Sequence, residues 1–141
     1  MARTQGGNAH MESFTLSLYN QQFRIALRDA SCKTRTTLSG TTSPAADTWY
    51  HVAAVYGGGS LKIFTNGQLQ NSTSLSGGVC DAQADFRIGA AASTNYMNGL
   101  LDECALFNTA LTDQQICEIC RFGLNGQHAD RGAACGNCTA F

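Results

Sequence analysis

Seven cysteines in 141 residues are the densest concentration of reactive chemistry in this sequence. Four of them form two Cys-x-x-Cys pairs, Cys117/Cys120 and Cys135/Cys138, with fourteen residues between the pairs. Two such knuckles can offer four thiolates to a tetrahedral Zn²⁺, and this separation falls just short of the usual zinc-ribbon range. Disulfides are the competing use. Cys117 and Cys120 fall at the end of a predicted helix, not on the tight turn of a zinc knuckle. Cys32, Cys80 and Cys104 also need an explanation, and an oxidising compartment covers all seven together. Disulfides are therefore the expectation, zinc is the second reading, and the connectivity stays open. Thioredoxin-like redox catalysis would need a surrounding βαβ unit that neither motif has. Because seven is odd, one thiol stays free or reaches another chain.

The carboxylates speak against glycoside hydrolysis. Both hydrolytic mechanisms need two acids facing one bond, and the ten acidic residues contain no Glu-x-Asp-x-x-Glu run along a single strand. Asp102-Glu103 is the one adjacent pair, and neighbours on a strand point to opposite faces. No Gly-x-Ser-x-Gly nucleophile elbow is present, so no catalytic residue is assigned and a non-enzyme is expected. His51 lies inside an apolar run, where a histidine is more often a sheet residue than a base or ligand. Gly57-Gly58-Gly59 lacks the Gly-Lys-Ser/Thr of a phosphate loop and reads as a hairpin turn. Asn71-Ser72-Thr73 and Asn137-Cys138-Thr139 match the glycosylation acceptor pattern, which also arises often by chance.

The elements that position these residues are mostly strands. Phe14, Leu16 and Leu18 alternate with polar neighbours, Asn20-Gln21 offers a turn, and Phe23, Ile25 and Leu27 repeat the alternation, which predicts a hairpin. Cys32 to Leu38 is a weaker third strand, and Ser39 to Ala46 is a loop. Trp49 to Tyr56 is nearly continuous in apolar character, which suits a mid-sheet strand with Trp49 in the core. Leu61, Ile63 and Thr65 alternate up to Asn66-Gly67, the strongest short hairpin signal in the chain. Gln68 to Asp81 reads as a long loop or irregular edge, Asp85 to Gly89 as a strand, and Tyr96 to Asn108 as the last long strand. Thr112 is a good helix N-cap with Gln115 three residues on, which predicts a short helix through Cys120.

The Trp-x-His-Val-Ala-x-Val-Tyr strand from Trp49, the strand ending in Asn66-Gly67, Phe86-Arg-Ile-Gly89 and Gly99-Leu-Leu-Asp-Glu103 before a small helix occur here in a telling order. In that order they resemble the laminin-G-like, concanavalin-A-like jelly-roll family, over Phe14 to Phe122. The resemblance implies an all-β antiparallel β-sandwich with one short C-terminal helix, and a non-catalytic recognition or adhesion role, with carbohydrate as one class of ligand. It also implies a use for Asp102, which resembles the carboxylate of a structural Ca²⁺ site in many relatives. The family's opening strands are missing from the match. A sheet lacking them would expose an apolar face and an unpaired edge, so a homo-oligomeric or filamentous assembly held by strand exchange and disulfides is the alternative.

In this reading residues 1–11 are a flexible or exchanged lead-in, residues 12–122 are the sandwich, and residues 123–141 are a Cys-rich tail packed on it. A net charge of −1 and a pI near 6.2 give no counterion-release term for nucleic acid. No apolar run is long enough to span a bilayer. The first residues lack the apolar core of a signal peptide, so a mature segment or a domain of a longer protein is expected. Partners are expected to be a glycan or an extracellular protein, and the location extracellular. Tyr19, Trp49 and Tyr50 are the aromatic candidates for stacking on a sugar if they reach solvent.

Overall fold

The period-two runs become strands. The computed structural model describes residues 2–4, 12–83, 85–91, 95–124 and 135–138. In chain order they form β1 (Ala2–Thr4), β2 (Glu12–Tyr19), β3 (Gln22–Arg28), β4 (Arg35–Ser39), β5 (Val52–Gly57), β6 (Ser60–Thr65), β7 (Gln68–Ser74), β8 (Asp85–Arg87), β9 (Ala90–Ala91), β10 (Asn95–Tyr96) and the helix α1 (Asp113–Phe122). A five-stranded sheet runs in the order β4-β3-β2-β1-β8, a three-stranded sheet in the order β5-β6-β7, and β9 pairs with β10. Every pairing is antiparallel. Among the described residues no helix is long and apolar enough to cross a membrane.

The two larger sheets meet as a sandwich. Ile25, Leu27 and Leu38 from one sheet are buried against Leu61 and Ile63 from the other, with Phe14, Leu16, Phe23, Ala54 and Tyr56 packed around them. Fully burying an apolar side chain of this size contributes roughly 1.5–3 kcal/mol, so this cluster is what holds the layers together. The fold is the expected all-β sandwich with one short helix and disulfides in the C-terminal region.

Strand β6 is covered on both faces. Leu61 and Ile63 enter the sandwich core, while Phe64 points the other way and is also fully buried. Lys62 shares the Phe64 face, and its Nζ reaches Asp113 Oδ1 at the start of α1 at 2.7 Å. The helix thus lies over the outer face of the three-stranded sheet. Its first turn carries the expected capping box: Thr112 Oγ1 accepts the Gln115 amide at 3.2 Å, and Gln115 Oε1 accepts the Thr112 amide at 2.9 Å. Gly123 ends it, donating its N–H to Ile119 O at 2.9 Å.

Three expectations change. The apolar run at Trp49–Tyr56 is an edge strand of its sheet, because tight turns at both ends of β6 make β6 the centre of a meander. Trp49 lies outside β5 and is half-buried instead of core. Gln68 to Ser74 is the other edge strand of that sheet, with a register shift against β6, which is the irregular edge that one of the two readings expected. The last long strand at Tyr96–Asn108 does not form: β10 ends at Tyr96, and residues 97–112 run irregularly to the helix. A strand is stable only when its backbone groups are paired, and no described strand lies alongside this segment. From the lead-in, Ala2–Thr4 inserts between β2 and β8, while residues 5–11 fall outside the described residues.

Candidate functional site

The cysteines are joined across the chain. Cys32 bonds to Cys80, Cys117 to Cys138 and Cys120 to Cys135, and Cys104 is free and exposed. The two Cys-x-x-Cys motifs therefore pair with each other, which leaves none of their four sulfurs as a thiolate for zinc. Gly67 shows why the hairpin turn and the tail fit together. Its φ is +75°, and a Cβ there would lie 3.1 Å from Cys117 Cα and 3.3 Å from Cys120 Cβ. The tail closes over the same turn, with Gly136 N–H donating to Asn66 O at 3.0 Å. The first disulfide has a different task. Asp29 Oδ1 organises the loop between β3 and β4 by accepting from Ser31 Oγ at 2.7 Å and from the Lys33 and Thr34 amides at 3.2 and 3.3 Å. The Ser31 and Thr34 side chains are the main reason that its carboxyl is held down at about 2. Cys32, in that loop, then staples the chain that leaves the three-stranded sheet, where Cys80 donates its N–H to Arg28 O at 3.0 Å.

His51 belongs to the frame of the sheet. Its backbone N–H donates to Asn66 Oδ1 at 3.0 Å and its carbonyl accepts the Asn66 amide at 2.8 Å, so it aligns the β5–β6 hairpin. Burial holds its imidazole below the ordinary value of 6.5, which keeps it neutral. Asp102 lies on the exposed irregular segment, with Oδ1 accepting the Glu103 amide at 2.9 Å. Among the described residues no three His, Cys, Asp or Glu side chains are grouped to hold a metal ion.

The tip of the β2–β3 hairpin has the makings of a ligand surface. Tyr19 pairs with Gln22 across the turn, and the two turn residues, Asn20 and Gln21, have φ of +47° and +59°. Positive φ at both central positions is what a two-residue type I′ loop requires. Asn tolerates that conformation better than Gln, so the turn keeps a strained amide side chain where glycine would be easier. Tyr19 is 51% exposed. The Arg24 guanidinium sits 3.6 Å from its ring centroid, a cation–π contact that holds the ring in place. Tyr50 behaves differently, half-buried with its ring 5.6 Å from Phe23 and its hydroxyl accepting the Ala45 amide at 3.1 Å. Of the three aromatic candidates, then, Tyr19 alone is exposed. The sequence reading did not place Arg24 there, although the signal existed. Ser17 faces Arg24, so Tyr19 is its diagonal neighbour on one face of the hairpin.

A second surface is apolar. Phe86, Ile88, Tyr96 and Met97 are exposed around the β8–β10 region, and Leu100, Leu101, Leu106 and Phe107 are exposed on the segment that follows.

Comparison with known proteins gives one family. The profile of Laminin_G_3, the Concanavalin A-like lectin/glucanases superfamily, matches residues 1–117. No curated protein matches the chain. Among solved structures it is similar to residues 221–444 of an S-layer domain-containing protein from Clostridium thermocellum ATCC 27405, at 17% identity and a TM-score of 0.48. The alignment covers 70% of this chain and 51% of that one. The chain thus accounts for about half the length of that structure.

Proposed function

The chain belongs to the Concanavalin A-like lectin/glucanases superfamily, and from that premise we propose that it is a non-catalytic recognition module of the extracellular space that binds neutral carbohydrate through the β2–β3 hairpin tip. The observation that carries this reading is the exposed Tyr19 ring, backed by Arg24 and flanked by the exposed amides of Asn20 and Gln21. Sugar faces stack on aromatic rings, and amide and guanidinium groups supply the donors and acceptors that hydroxyl groups need. The superfamily holds both lectins and glucanases. The carboxylates favour the first, since the sequence has no Glu-x-Asp-x-x-Glu run that would set two acids along one strand. Three disulfides fit an oxidising compartment. A net charge of −1 favours neutral over sulfated glycans, because the chain as a whole does not attract polyanions.

The test is a glycan array probed with the wild-type chain and with Tyr19→Ala, followed by titration calorimetry with the best-bound neutral oligosaccharide. Binding that weakens by about tenfold or more in Tyr19→Ala, some 1.4 kcal/mol, supports the proposal. Glycan binding that ignores the substitution moves the site elsewhere. A second reading, self-assembly, is favoured by the apolar surface between Phe86 and Phe107.

A further inference from the structure

Asn71-Ser72-Thr73 matches the N-glycan acceptor pattern. Such a match also arises by chance, so its place in the fold decides. The triplet lies within β7, an end strand of the three-stranded sheet whose outer edge no described strand covers. Asn71 and Ser72 are exposed. Asn71 lies opposite Ile63 and Thr73 opposite Leu61, so the carboxamide and the hydroxyl share one face of the strand. Asn71 Nδ2 donates to Ser39 O at 3.1 Å, at the end of β4 in the other sheet. The acceptor nitrogen therefore sits at the rim of the sandwich.

The rim does not depend on Asn71 alone. The β6–β7 register shifts between Ile63 and Phe64, which leaves Gln70 as the extra residue of a bulge. Gln70 Oε1 accepts the hydroxyls of Thr41 and Thr42 at 2.6 and 2.9 Å, and so ties β7 to the loop after β4. A carboxamide nitrogen carries two hydrogens. Ser39 takes one from Asn71, and replacing the other lets that bond persist. The second matching triplet, Asn137-Cys138-Thr139, is less open. Cys138 is bonded to the fully buried Cys117, and Gly136 N–H is held by Asn66 O, so bridge closure ties that triplet to the β6–β7 turn.

We propose that Asn71 is an N-glycan acceptor, modified with an oligosaccharide from a lipid-linked pyrophosphate donor. Asn71 Nδ2 forms a bond to C1 of the first sugar while the C1–O bond to the pyrophosphate breaks. The bonding pair leaves with the lipid pyrophosphate, the displaced amide proton passes to solvent, and nothing is oxidised or reduced. The proposal rests on the extracellular reading given above, because glycan transfer and disulfide closure belong to one export route. A glycan is bulky and hydrophilic. On Asn71 it stands beside the outer edge of β7, and an uncovered edge invites pairing with other chains.

The test is translation of the full chain behind a cleavable export leader with endoplasmic-reticulum microsomes. Peptide mapping follows, before and after peptide N-glycosidase, which leaves aspartate where a glycan stood. Wild type should carry a glycan at Asn71 on chains whose three disulfides are closed. Asn71→Gln and Thr73→Ala should each lose it, and Thr73→Ser, which retains the hydroxyl, should keep it. Closed disulfides with Asn71 unmodified overturn the proposal and leave the extracellular reading standing. So does a glycan at Asn71 that survives Thr73→Ala, or one confined to chains with open bridges, which would mean that the folded rim does not admit it. Open disulfides with no glycan overturn both.

Discussion

Replacing Cys32 and Cys80 with alanine should cost this domain a large part of its stability, and the amount follows from what the bridge closes. The two cysteines are 48 residues apart, and between them lie β4 and the whole three-stranded sheet. In the chain-entropy account, closing a loop of that length removes denatured-state freedom equivalent to about 4 kcal/mol. Domains of this kind are stable by roughly 5–15 kcal/mol in total. With a urea dependence of about 1–3 kcal/mol/M, the midpoint should therefore fall by more than about 1 M. Trp49, the single tryptophan, is half-buried beside β5 and serves as the fluorescence probe. The tail bridges provide the internal contrast. Cys120–Cys135 closes 15 residues inside the 21 closed by Cys117–Cys138, so removing the inner bridge alone leaves most of the restriction in place and should cost well under the roughly 3 kcal/mol of an isolated loop of that size. A loss under about 1 kcal/mol for Cys32/Cys80, or an equal loss for the inner tail bridge, would mean that loop closure does not set the stability of this domain.

Three further outcomes are expected. Gly67→Ala puts a Cβ at φ +75° and 3.1 Å from Cys117 Cα; a stability loss of about 1–3 kcal/mol in urea unfolding is expected, and a neutral result would mean that the helix and turn are not clamped there. Thr112→Ala removes the N-cap acceptor for Gln115 and should cost about 1 kcal/mol, read by thermal unfolding. His51 is held below its ordinary 6.5 by burial, so the unfolded chain binds its proton first. The corresponding stability is complete above pH 6.5 and is lost as pH falls toward the lower folded value. His51→Asn should flatten that decline, and an unchanged pH profile would contradict it.

Local signals in the sequence carried through where the chemistry is local. Asn66-Gly67 adopts two positive φ values and turns β6 into β7, and Thr112 with Gln115 starts the helix as the capping-box spacing indicates. The hairpin from Phe14 to Leu27 has the register that its alternation requires. What was not legible depends on partners distant in sequence. Val52 to Tyr56 is apolar whether it lies at the centre or the edge of its sheet, and only the two turns flanking β6 decide which. Gly99 to Phe107 has strand periodicity, but periodicity gives faces and no partner, and no described strand runs beside it. At the hairpin tip the two ingredients, Tyr19 and Arg24, could be read separately. Their contact needed the register of β2 against β3.

Recognition through the hairpin tip is measured most directly by the affinity of the folded, disulfide-intact chain for neutral oligosaccharides, compared with that of Tyr19→Ala. Saturable binding is expected, dropping by about tenfold or more when the ring is removed, with unfolding midpoints equal between the two. The absence of binding to any neutral glycan, or equal affinity without Tyr19, would contradict it.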